Sequence, residues 1–200
     1  MAEVIVSTFQ RGGSSMVMQM LHAGGMTCLG GGPAFEDERV KAKAGGRLHL
    51  DWIRDVPGAV KVLEPQRAAP LAGGPIARLG IWLDRDPVTR AKSALRLMDA
   101  SGVPVISNRQ TIRALEASYE RDRPAALAAL RRLCGHILKV RFEEIIAAPE
   151  AWTDALCAQF EVGAVTRAKM LAVIRKGRGP GLAPHMLEPE LMRDWGRAYG

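Results

Sequence analysis

Near the amino terminus, Gln10-Arg11-Gly12-Gly13-Ser14-Ser15 joins a β-branched apolar run to a segment with apolar residues at helical spacing. Two glycines permit a sharp turn, and paired hydroxyls then open a helix. Backbone N–H groups at a helix start lack intrahelical acceptors and sit at the positive end of the macrodipole, so this order suits a phosphate or sulfonate. Arg11 adds a planar, charged donor fork inside the turn. A second set lies at Asp84-Arg85-Asp86-Pro87, where Pro87 fits a first helical turn and Ser93 comes two turns further on. Arg85 and Ser93 could face one anion if the loop folds back over the strand end. Without such a partner, the same residues read as a helix cap with an exposed Arg-Asp pair.

Both sets need strand-to-helix junctions to present them. Apolar runs at residues 4–6, 59–63, 78–83 and 137–142 predict strands, and patterns over 14–23, 88–98 and 111–133 predict helices. That alternation argues for an α/β chain with a central, mainly parallel sheet and ligands at the carboxyl ends of its strands. Residues 30–46 read as a loop and short helix over the sheet edge, and the Pro/Gly cluster over 65–75 as a surface loop. From residue 176 the chain is rich in Gly, Pro and Arg, with a short helical pattern over 189–199, which suggests a tail or cover.

A length of 200 residues predicts one domain, residues 1–200. The formal charge of +7 favours an anionic partner without distinguishing nucleic acid, acidic lipid and a phosphorylated cofactor. Cys28, Cys134 and Cys157 are odd in number and widely spaced, which suits neither a disulfide framework nor a paired zinc site, so they are expected to be reduced and structural. With no basic leader and no apolar run of bilayer length, a soluble, cytoplasmic protein without a membrane partner is expected.

Taken together, the first two segments resemble the sulfotransferase family, which transfers a sulfuryl group from 3′-phosphoadenosine 5′-phosphosulfate (PAPS), and the small bacterial sulfotransferase-like proteins above all. Gln10 to Ser15 is similar to that family's 5′-phosphosulfate loop, where Gln10 replaces the usual proline and Gly12 the usual serine. The change at Gly12 predicts a looser turn with one hydroxyl fewer. Arg85-Asp86-Pro87 followed by Ser93 resembles its 3′-phosphate element. Lys139-Val140-Arg141-Phe142-Glu143-Glu144 and the later Pro149-Glu150 resemble a third strand and helix of the family, so the similarity covers roughly residues 3–163.

The resemblance implies a three-layer P-loop-type fold, PAPS as donor, the desulfated bisphosphate PAP as product, a small-molecule or glycan acceptor, and no metal ion. It places Gly12, Gly13, Ser14, Ser15 and Met16 on the 5′-phosphate, Arg11 on the bridging oxygen and sulfuryl group, and Arg85 with Ser93 on the 3′-phosphate. Lys61 matches a family lysine that reaches the transferring group; read by composition alone, it is a lysine snorkelling from a sheet edge. Some relatives carry a histidine base two positions beyond that lysine, where this chain has Leu63. Glu36, in a segment similar to one in the family, is the candidate base, against the alternative of a solvated acid opening a short helix. His22 and His49 are weaker candidates. Arg175-Lys176-Gly177 is partly similar to a basic tripeptide of eukaryotic relatives but reads better as a solvated tail.

Two other readings remain at this level. In a P-loop kinase or nucleotidase, Asp84 would hold magnesium, but the loop lysine such enzymes need is missing. A catalytically inactive binding protein could contact nucleic acid through Arg109, Arg113, Arg121, Arg123, Arg131 and Arg132, although an aromatic content of 5% offers few bases a stacking platform, and no nucleic-acid partner is expected.

Overall fold

Strand β1 (Ala2–Thr8) carries apolar side chains on both faces, as a strand buried in a parallel sheet must. It pairs in parallel with β2 (Ala59–Leu63) on one side and β3 (Ala77–Asp84) on the other, and β3 pairs in parallel with β4 (Cys134–Arg141). The resulting order is β2-β1-β3-β4. The structure, a computed structural model, describes residues 2–30, 34–40, 46–100, 102, 104–160 and 164–176. The expected tail beyond residue 176, Gly177 of the basic tripeptide, and parts of the 30–46 loop lie outside the described residues.

Among the described residues, six α-helices connect and cover these strands: α1 (Ser14–Ala23), α2 (Pro87–Ala100), α3 (Arg109–Leu133), α4 (Phe142–Ala147), α5 (Pro149–Phe160) and α6 (Ala164–Lys176). The strand pleat separates two apolar layers. Val4, Val6, Ile81 and Leu83 pack with Val17 and Met18 of α1, Trp152 and Leu156 of α5, and Met170 and Ile174 of α6. On the opposite face Ile5, Val60, Val62 and Trp82 meet Ala126, Leu127, Leu130 and Leu133 of α3. The fold is therefore α/β in three layers, helices on both faces of a parallel sheet, as expected.

Local differences have physical causes. The strand expected over 137–142 begins at Cys134, next to Leu133, whose carbonyl accepts from Ile76 N–H at 2.9 Å, and Phe142 opens α4 instead of ending β4. Helix α3 starts at Arg109, because the Asn108 side chain accepts the N–H of Thr111 at 2.8 Å and caps it. Within the 30–46 loop the short helix is a 3-10 turn at Glu38–Val40.

Two buried hydroxyls fix the end of β1. Ser7 Oγ donates to Val62 O at 2.8 Å and Thr8 Oγ1 to Leu83 O at 2.7 Å, so the strand is tied sideways to β2 and to β3 where the glycine turn begins. Each such bond contributes about 1 kcal/mol and, more to the point, sets where the turn starts.

Candidate active site

The turn after β1 is closed by Gly12 N–H donating to Phe9 O at 3.1 Å, with Arg11 at φ 68° and Gly13 at φ 97°. Gly13 caps α1, and its carbonyl takes the N–H groups of Met16 at 3.1 Å and Val17 at 3.4 Å. Among the described residues the N–H groups of Ser14 and Ser15 meet no acceptor, and the first turn of α1 holds no acid. These donors sit at the positive end of the helix. Met16 N–H is already bonded to Gly13 O and Gly12 N–H to Phe9 O, so of the expected 5′-phosphate set these two amides are engaged.

Packing corrects the expectation of a looser turn. A Cβ on Gly12 would lie 1.8 Å from Thr8 Oγ1, and one on Gly13 would lie 2.4 Å from Cδ2 of Phe142. Glycine is a steric requirement at both positions. The Thr8 side chain fills the space a loop serine would take, and the Phe142 ring wedges the helix start. Sequence reading misses both, because Thr8 carries no signal beyond an ordinary strand threonine and Phe142 none beyond the end of an apolar run.

Three of the expected residues meet over the carboxyl edge of β1 and β3. Arg11 Nε donates to Ser93 Oγ at 3.2 Å, and Arg85 Nη1 donates to the Arg11 carbonyl at 2.9 Å. Arg85 is 5% exposed, lies with its guanidinium carbon 4.8 Å from the centre of the Phe142 ring, and keeps a buried Nε without a partner. Burial and then the charge of Arg85 push the pKa of Arg11 down to about 10, with Glu36 partly opposing them, so Arg11 stays charged at neutral pH. Burial also lowers that of Arg85, while Glu143 raises it. Two guanidiniums held this close in low dielectric favour an anion between or beside them. Glu143 Oε1 accepts Asp86 N–H at 2.8 Å, which ties the third motif to the second.

A second cluster sits on the β2 side. Lys61 is 3% exposed, not snorkelling. Its Nζ donates to Ser15 Oγ at 3.2 Å, Ala34 O at 2.6 Å and Glu36 Oε1 at 3.0 Å. The strand thus brings Lys61, Ser15 and Glu36 together, and Arg11 joins the two clusters through its bond to Ser93 and the field of Glu36. His22 and His49 are exposed; the ring of His22 packs beside Phe35 at 5.4 Å.

Asp84 does not stand ready for magnesium. Its Oδ1 accepts from Trp82 Nε1 at 2.9 Å and Arg123 Nε at 3.0 Å, and its Oδ2 pairs with Arg123 Nη2. Among the proposed nucleic-acid contacts, Arg123 is therefore occupied and Arg121 pairs with Asp122. Among the described residues no cluster of His, Cys, Asp and Glu could hold a metal ion, and no helix is long and apolar enough to cross a membrane. The three cysteines are free, and burial pushes the Cys28 thiol up to about 11 and Cys134 to about 12, so neither supplies a thiolate at neutral pH.

No protein-family model matches the sequence, and no curated protein matches it. Solved structures match at the level of fold. The chain is similar to mouse sulfotransferase SULT7A1 complexed with PAP, at 9% identity and a TM-score of 0.53, over 86% of this chain and 63% of that one. It is similar to retinol dehydratase in complex with androsterone and inactive cofactor PAP, at 15% identity and a TM-score of 0.54, over 86% and 63%. The sulfotransferase domain from the curacin biosynthetic pathway matches at 13% identity and a TM-score of 0.50, over 82% and 76%.

Proposed function

We propose that this chain, which has the sulfotransferase fold and spans about 63% of the length of SULT7A1 and of retinol dehydratase, is a PAPS-dependent sulfotransferase acting on a hydroxyl or amine of a small-molecule or glycan acceptor. The observation that carries the reading is the convergence of Arg11, Arg85 and Ser93 beside the free N–H groups of α1. The buried, unpartnered Nε of Arg85 at one end and the N–H groups of Ser14 and Ser15, which meet no acceptor among the described residues, at the other fit a ligand with phosphates at two ends. We take the whole chain as one such domain.

In this reading Gly12, Gly13, Ser14 and Ser15 bind the 5′-phosphate, and Arg85 with Ser93 binds the 3′-phosphate. The donor, when bound, supplies the sulfuryl group. Arg11 and Lys61 hold positive charge where negative charge spreads over equatorial oxygens during in-line displacement, which is electrostatic stabilisation of the kind that dominates such transfers. Sulfate carries less charge than phosphate, so two fixed cations suffice and the reading assigns no metal ion. Lys61 also fixes the carboxylate of Glu36 by its Oε1. Glu36 takes the proton of the acceptor, a role open to a carboxylate within reach of the attacking atom.

Calorimetry with PAP and with ADP plus magnesium tests the assignment. PAP is expected to bind selectively; selective binding of ADP with magnesium would return the site to a P-loop kinase or nucleotidase. Binding of PAP with no turnover on any acceptor would leave the inactive, sulfotransferase-fold binding protein.

A further inference from the structure

We propose that a groove apart from the nucleotide site, between residues 65–75 and the last turn of α3, binds a multiply phosphorylated or sulfated sugar or polyol. The cavity measures about 970 Å³, at the upper end of the usual range for small-molecule sites. Arg47, Arg67, Arg131 and Arg132 line it together with Gln66 and Leu71, and no carboxylate is among its lining residues. None of Arg11, Glu36, Lys61, Arg85 or Ser93 reaches it.

Its outer wall is built in advance. Leu48 N–H donates to Arg67 O at 2.9 Å and Ala69 N–H to Leu48 O at 2.8 Å, which seat the first half of the segment. Arg54 Nη1 and Nη2 then clamp the carbonyls of Pro75 and Gly74, each at 2.9 Å, and Ala72 N–H is held by Asp51 Oδ1 at 3.1 Å. The opposite wall is α3, whose Leu133 carbonyl receives Ile76 N–H at 2.9 Å. A fixed concavity loses little entropy on binding.

Three of the four arginines on these walls carry charge that no carboxylate among the described residues offsets. Arg67 shares Glu64 Oε2 at 3.4 Å and donates to Gly46 O at 3.3 Å. Arg47, Arg131 and Arg132 are exposed and form no ion pair among the described residues. Guanidiniums of one sign around a concavity focus the field and raise the local concentration of anions. One exposed pair contributes little by itself, so retention needs a ligand that engages several of them at once. Gln66 adds a second requirement: its Oε1 is buried with no donor. A buried acceptor of that kind calls for a hydroxyl, which a sugar or polyol ester carries and inorganic pyrophosphate lacks. The size of the cavity favours such a small molecule over a nucleic-acid strand.

Calorimetry on the full chain at low salt tests this with fructose 1,6-bisphosphate, sucrose octasulfate, pyrophosphate and a single-stranded oligonucleotide. The first two separate phosphate from sulfate esters, and binding of either supports the proposal. Arg131→Ala with Arg132→Ala should weaken the sugar ester about tenfold or more, whereas the equal charge change Arg109→Ala with Arg113→Ala should alter it less than about threefold. Gln66→Ala should weaken the sugar ester and leave pyrophosphate unchanged. Affinity for PAP should be the same in the Arg131/Arg132 variant and the parent, which also shows that the variant folds and keeps this test separate from the sulfotransferase reading. Absence of binding up to about 10 mM, an equal loss in the Arg109/Arg113 control, or tighter binding of the oligonucleotide overturns the proposal.

Discussion

Arg85 Nη1 donates to the backbone carbonyl of Arg11 across 2.9 Å, joining residues separated by 74 positions in sequence. Arg85 thus braces Arg11 in its left-handed backbone conformation. Arg85→Ala should weaken PAP binding about 100-fold, from the loss of a charged hydrogen-bonding group. It should weaken adenosine 5′-phosphosulfate, which lacks the 3′-phosphate, at least about tenfold less. Equal losses for both nucleotides, measured by calorimetry, would mean that Arg85 acts only through Arg11.

Glu36→Gln should slow turnover by about 100-fold or more while PAP affinity stays nearly intact, the pattern of a lost proton acceptor. Unchanged turnover removes Glu36 from that role. Lys61→Met should also abolish most turnover, and it strands the carboxylate whose Oε1 now accepts from Nζ at 3.0 Å. A pH–rate profile separates the two variants: losing the base flattens the acidic limb, whereas losing the cation leaves that limb in place.

Gly12→Ala forces a methyl group into Thr8 Oγ1, at 1.8 Å before relaxation. Overpacking of this kind destabilises by about 1–3 kcal/mol. Thr8→Ala should recover part of that loss, so a double-mutant cycle by urea denaturation should give a coupling of about 1 kcal/mol. Additive effects would contradict the packing described for the turn.

Asp84 gives a pH dependence. Burial pushes its carboxyl up, but the bonds from Arg123 and Trp82 outweigh this and hold it below the ordinary aspartate range. A depressed folded-state value contributes stability that is present above the unfolded value of about 3.9 and is lost as pH falls through the folded one. Asp84→Asn should therefore be less stable than the parent by about 2 kcal/mol at neutral pH. The gap should shrink below about pH 4. Denaturation curves at both pH values check the sign, and a gap that widens in acid would refute it.

Much of the scaffold was legible because its signals are local. The β-branched runs, the Gly12-Gly13 turn and the apolar spacing of α1 gave strand, turn and helix in order, and residues 14–23 and 59–63 were bounded as the structure bounds them. Helix α6 escaped because only Met170, Leu171 and Ile174 of its buried face stand clear among basic and small residues; its place is set by packing on α1. At the candidate site, residue types pointed to Arg11, Arg85 and Ser93, and the family resemblance to Lys61, yet their partners are nonlocal. That Lys61 would be buried against Glu36, or that Thr8 would demand glycine at position 12, depends on contacts that no spacing along one chain encodes.

Phe142 stands against Gly13 with one part of its ring and lies under the guanidinium of Arg85. Enlarging or trimming that benzene ring disturbs the start of α1 and the seat of the Arg85 guanidinium simultaneously. In the proposed site, a change of side chain at position 142 made to suit one end would therefore be felt at the other.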